Sequence, residues 1–163
     1  VSRAITDDDL AHLRHCVDLA REALEAGDEP FGSVLVGPGG RVRFADRNRV
    51  AGGDATQHPE FAIARWAAAE LTPEERAAST VYTSGEHCPM CSAAHAWVGL
   101  GPIVYASSSA QLTSWRAELG AAPSPVRPIP ITEVAPALRV AGPVPPLDEE
   151  VRALQVRHLN TRA

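Results

Sequence analysis

The chain contains no lysine; all 15 of its basic residues are arginine. That absence removes Schiff-base chemistry, a phosphate-loop lysine and a lysine general base from consideration. Basic charge is also in deficit, 15 residues against 20 acidic ones for a net −5. A phosphate backbone calls for a surplus of cations, so nucleic acid is not expected as the main partner. The local cluster Arg41, Arg43, Arg47 and Arg49 reads as an arginine-lined strand in solvent. No apolar run approaches the ~20 residues that span a bilayer, and the first thirty or so show no signal-peptide layout. The expectation is a cytoplasmic protein with no membrane association. Cysteines number only three, and an odd count without an export signal argues against a disulfide framework.

What is present is ordinary globular composition, 45% hydrophobic and 21% charged over 163 residues, enough for a single domain spanning 1–163. Leu10, Leu13, Val17, Ala20 and Leu24 recur at steps of three and four, which predicts an amphipathic helix over 6–26, capped by Thr6 and Asp9. His12, His15 and Cys16 on it read as helix-surface or core residues. A hairpin follows, with strands over 32–36 and 41–47 around a Gly-Pro-Gly-Gly turn. Further helices are expected over 59–71, 89–100 and 110–119, strands over 80–84, 103–106 and 129–132, and a last helix over 147–160. Trp66 falls in phase with Ile63 and reads as packing, whereas the role of Trp115 stays open, with the mouth of a pocket as the lesser reading. Residues 121–146 hold eight of the 14 prolines and read as an ordered surface connection. Strands alternating with helices after a hairpin give an α/β layer structure with helices on both sheet faces.

Two helix starts share a design. His58-Pro59-Glu60 opens one and Cys88-Pro89-Met90-Cys91 the other. Proline is tolerated at the first helical position and pushes the preceding residue out of α geometry, so His58 and Cys88 become N-caps that point off the helix end. Cys91 returns to the same side one turn after Cys88. Helix N-termini favour thiolate over thiol. Two thiolates and an imidazole form a three-ligand zinc set, which leaves a position for water where a structural site would take a fourth protein ligand. Glu60 then stands beside the metal, free to move protons. Two other readings compete. A strand followed by Cys-Pro-x-Cys also describes a thiol–disulfide oxidoreductase, and His87 with His95 could join the cysteines in a purely structural zinc site.

His58-Pro59-Glu60 with Cys88-Pro89-Met90-Cys91 about thirty residues later resembles the signature of the zinc-dependent cytidine/deoxycytidylate deaminase superfamily. The similarity covers residues 10–120, including Pro30-Phe31-Gly32 and Asn48. It is nearest to the branch holding guanine deaminase, bacterial cytosine deaminase-like enzymes and tRNA adenosine deaminase. The resemblance implies a three-layer α/β/α fold around a five-stranded mixed sheet, and one zinc ion per chain held by His58, Cys88 and Cys91. It makes Glu60 the proton shuttle. Asn48, Phe31, Trp97 and Glu86 would contact the substrate, a free amino-heterocycle that is guanine-like or cytosine-like. It implies a homodimer as well. The nearest alternative activity is tRNA adenosine deamination, which the acidic, lysine-free composition disfavours. One departure stands out: the family usually has proline before the first cysteine, where this chain has His87.

Overall fold

A computed structural model describes residues 3–162. Helix α1 (Asp7–Glu25) leads into an antiparallel pair, β1 (Gly32–Val36) and β2 (Val42–Arg47), and then to α2 (Pro59–Glu70) and a short α3 (Pro73–Ala77). After these come β3 (Thr80–Gly85), α4 (Pro89–Val98), β4 (Ile103–Ser107), α5 (Ser109–Glu118), α6 (Ile131–Val134), β5 (Val140–Ala141) and α7 (Leu147–Thr161). The sheet order is β2-β1-β3-β4-β5; β1 is antiparallel to both its neighbours, and β3, β4 and β5 are parallel.

Strand periodicity sorts the core into two halves. Val34, Val36, Tyr82, Val104 and Ala106 point to one face and pack with Leu13, Cys16 and Val17 of α1, Trp115 of α5, and Leu147, Val151 and Leu154 of α7. Their neighbours Leu35, Val81, Ile103 and Tyr105 point to the other face, against Ile63, Ala64 and Ala67 of α2 and Ile131 of α6. The result is the expected α/β/α sandwich. Trp115 is therefore core rather than pocket mouth. Trp66 stacks on Phe44 at 5.2 Å between ring centres. At Gly32 a Cβ would overlap the Cys16 carbonyl oxygen and Leu19 Cβ, so glycine there lets α1 lie directly on β1.

Asp9 ties α1 to the sheet. It forms the capping box with Thr6, and its carboxylate also accepts two hydrogen bonds from Arg3, at 2.6 and 2.7 Å, and one from the Tyr82 hydroxyl at 2.8 Å. Those Arg3 bonds, aided by the Thr6 amide and Tyr82, hold the Asp9 carboxyl well below the usual carboxylate range despite its burial. A carboxylate depressed in the folded state stabilises at pH above its unfolded value of about 3.9 and loses that contribution as pH falls. Asp9→Asn is expected to cost about 2 kcal/mol at pH 7, less than a fully buried pair because Arg3 is half-exposed. Urea titrations should show the gap between variant and parent narrowing below pH 4.

The strand expected over 129–132 is not formed. Pro128 and Pro130 deny that stretch the amide donors a ladder needs, and Ile131 begins α6 instead. The fifth strand is the two-residue β5, paired with Ile103 and Val104. The turn after α2 contains α3, whose Thr72 and Glu75 form a second capping box. Among the described residues no helix is long and apolar enough to cross a membrane.

Candidate active site

Topology gathers the chemical residues at one end of the sheet. β3 and β4 are parallel, so their carboxyl ends coincide; β1 is antiparallel to β3, so its first residue lies there too. β2 ends opposite Gly32 at Arg47. Phe31, Asn48, Glu86 and Cys88 thus all leave the sheet along the same margin, the usual place for ligands in open α/β sheets.

His58 and Cys88 are the N-caps of α2 and α4, both extended (φ −90°, ψ 140° and φ −66°, ψ 167°), each followed by proline. Neither side chain caps its own helix, and both are aimed at a common point. Cys88 Sγ and Cys91 Sγ each lie 3.6 Å from His58 Nδ1, and the three ligand atoms fall within 4.8 Å of one another. Zinc fits this set. A tetrahedral centre with Zn–S of about 2.3 Å and Zn–N of about 2.0–2.1 Å separates sulfur from nitrogen by about 3.6 Å. In the metal-free chain the Cys91 thiol and then His58 draw the Cys88 thiol down to about 4, and its donation raises Cys91. His58 rises to about 9, chiefly through its hydrogen bond with Cys88.

Glu60 follows in the first turn of α2 and is buried. Burial pushes its carboxyl up to about 7, opposed by the nearby His58. Thr83 on β3 donates to Glu60 Oε1 at 3.1 Å and is also 2.9 Å from the Gly85 carbonyl, while Ser33 donates to Thr83 at 2.8 Å. Thr83 has one hydroxyl proton. It serves Glu60 when that group is a carboxylate and can turn to Gly85 when Glu60 is protonated and donates in its place. Both states are accommodated without a lost partner. The pattern of residues did not single out Thr83 or Ser33, since Ser and Thr inside a strand look like ordinary strand residues.

Asn48 is fully buried. Its Oδ1 accepts from the Val50 amide at 3.0 Å and its backbone N–H donates to the Phe31 carbonyl at 3.0 Å. Its Nδ2 has no partner among the described residues, which leaves a buried donor available. Phe31 lies over the Gly85 backbone, where a Cβ would meet its ring at 3.1 Å. Arg47 holds this corner together, donating to Asp28 at 2.8 Å and to the Asn48 carbonyl at 2.9 Å, while Asp28 accepts from Ala51. The arginine cluster is thus more than a solvated strand. Arg47 is a largely buried ion-pair member, and Arg43 and Arg49 face Glu75 and Asp46.

Other expected residues lie elsewhere. Trp97 is 89% exposed; it sits two residues past buried His95, about 200° around α4, on the outer face. Its indole is not in the site of this chain. The Glu86 carboxylate is taken by backbone, Oε2 accepting from Ser109 at 2.8 Å and Oε1 from Ile131 at 2.9 Å, in place of the substrate contact the resemblance implied. His87 and His95 do not join the cysteines. Their rings meet edge-on at 5.2 Å, fully buried, and His95 Nε2 pairs with the Gly101 carbonyl at 2.8 Å.

The sequence model of the cytidine and deoxycytidylate deaminase zinc-binding region matches residues 6–107, well over half of the chain. The chain belongs to this deaminase family. A probable cytosine deaminase of Schizosaccharomyces pombe is 32% identical over 122 residues, 75% of this chain and 74% of that one. Guanine deaminase of Bacillus subtilis is 34% identical over 96 residues, 58% of this chain and 62% of that enzyme. The solved guanine deaminase of Nitrosomonas europaea shares the fold, with a TM-score of 0.70 at 22% identity, covering 98% of this chain and 88% of that one. His58, Cys88 and Cys91 form one cluster, and the disulfide-exchange reading has no use for the buried Glu60 two residues after that imidazole.

Proposed function

We propose that the protein is a zinc-dependent hydrolase that converts an amino group on a free nucleobase or related amino-heterocycle, guanine-like or cytosine-like, to a carbonyl with release of ammonia. The observation that carries it is the juxtaposition of the His58, Cys88 and Cys91 ligand atoms with the buried carboxyl of Glu60 in a chain of this family. The cytosine and guanine deaminase relatives support the substrate class. Zinc held by those three side chains would supply an acidified water, with a pKa near 7, as the nucleophile for the reacting carbon.

The chain's own residues do the rest. Glu60 passes one water proton to a ring nitrogen, then takes the second from the hydroxyl added to the ring carbon and delivers it to the departing amine, a transfer suited to a carboxyl tuned near neutrality. One water is consumed and one ammonia leaves. The free Nδ2 of Asn48 donates to an acceptor on the heterocycle, and Phe31 flanks the ring. Asn48→Ala is expected to raise KM about 10- to 100-fold with zinc content unchanged, since a buried polar contact with the base is lost. Two copies would associate through the outer face of α4, where the bare indole of Trp97 supports a covered surface. Zinc would load at one ion per chain, in a cytoplasmic enzyme.

The test is ammonia release by the zinc-loaded protein from guanine, isoguanine, cytosine, 5-azacytosine, adenine and their nucleosides. Turnover of one or more free bases is expected. Inertness toward all of them would overturn the activity, and tight, steeply salt-dependent binding of a tRNA anticodon stem-loop would overturn the substrate class.

A further inference from the structure

Glu86 lies two residues before Cys88, and each of its carboxylate oxygens accepts from a backbone amide. Its backbone N–H donates to the Ser107 carbonyl at 2.8 Å, which locks it to the end of β4. Its two oxygens reach Ser109, at the start of α5, and Ile131, at the start of α6. The one carboxylate therefore closes both ends of the excursion from 109 to 131. Between those ends, the stretch 120–130 carries four prolines and a single charge, Arg127, and leaves Val126 48% exposed. Its own anchors are few: Arg116 donates to the Ala122 carbonyl at 3.0 Å, and the Ala121 amide to the Arg116 carbonyl at 2.9 Å. The two residues bonded to Glu86, Ser109 and Ile131, are thereby held beside the margin from which Cys88 leaves the sheet.

We infer that Glu86 is a positioning residue, a brace that fixes the excursion from 109 to 131 as one wall of the substrate site and holds it in register with the loop that carries Cys88. This rests on the deaminase reading above. A flat, weakly polar heterocycle needs an apolar slot of fixed width, and a proline-rich wall with one charge suits that task once its two ends are pinned. The two backbone amides that Glu86 satisfies are the first N–H groups of their helices, which have no partner within the helix. A carboxylate there also complements the helix dipole of α5.

Three variants separate bracing from direct contact with the base. Glu86→Gln keeps a neutral acceptor for only one of the two amides, and Glu86→Ala keeps none. Ser109→Pro removes the N–H donor of one arm without touching Glu86, at a first helical position that tolerates proline and after an extended Ser108. Each variant is assayed for zinc per chain, for kcat and KM separately, and for hydrogen exchange at residues 109 and 131 where an amide remains. The expected result for Glu86→Gln is faster exchange at both amides, KM raised about tenfold, the equivalent of one charged hydrogen bond, kcat within about twofold, and zinc unchanged. Ser109→Pro is expected to raise KM in the same direction and to speed exchange at Ile131.

A KM effect in the Glu86 variants with none in Ser109→Pro would make Glu86 a direct substrate contact and overturn the inference. Loss of zinc, or a fall in kcat at constant KM, would overturn it equally. Unchanged exchange at both amides would show that the brace does not hold the wall. The exchange measurement needs no turnover, so it still tests the brace if the parent deaminates no base; in that event the deaminase reading is what fails.

Discussion

Glu60→Gln should retain one zinc per chain and bind the base as the parent does, yet turn over about 10²- to 10⁴-fold more slowly, the usual contribution of a positioned general acid–base group. Retention is expected because the three ligand side chains are elsewhere. Glutamine is of similar size, and its carbonyl can still accept from Thr83. What it cannot do is take a proton from water. The pH profile carries the same signature. Burial raises the Glu60 carboxyl to about 7 in the metal-free chain, and a bound cation would draw it lower. Parent activity should therefore fall on the acid side of a midpoint at or below about 7, as the base form disappears. In Glu60→Gln the residual rate should lack that limb. A variant that kept full activity would refute the shuttle.

The second large effect is on metal loading. Cys91→Ala should lower zinc affinity by more than the 10- to 100-fold typical of losing an outer-shell partner, and reduce ammonia release to background at ordinary zinc concentrations. The metal-free site is also expected to store protons. At pH 7 Cys88 is a thiolate, its value being near 4, whereas His58, near 9, and Cys91, raised by its bond to Cys88, each hold a proton. Zinc takes deprotonated ligands. Its binding at pH 7 should thus release about two protons, measurable by calorimetry in buffers of different ionisation enthalpy. A pair of cysteines that took up no zinc and instead cycled through a disulfide would contradict the whole assignment.

Much of this centre could be read from residue order, and the reason is local. Proline at a first helical position fixes where the preceding side chain points, so His58 and Cys88 are placed by their immediate neighbours, and Cys91 by helical pitch. The same holds for α1, the β1–β2 hairpin and the central strands, where periodicity and capping act over a few residues. The failures are non-local. Glu86 meets Ile131 45 positions away, a pairing that no spacing rule encodes. Trp97 was assigned by likeness to a motif, and helical phase turns it outward. The expected strand near 129–132 had apolar character but also two prolines, and backbone chemistry prevailed over hydrophobicity. Thr83 reads as a strand former until the fold brings Glu60 beside it.

The sheet is guarded differently along its two open margins. On one side β5 is only two residues long, too short to template another strand. On the other, β2 is a full six residues with Val42 43% exposed, and Arg41 and Arg43 stand at its start. Guanidinium keeps its charge across the physiological range, and lysine acetylation has no target here. This chain's defence against fibril-like stacking at that edge is therefore permanent, and cannot be switched off by acylation.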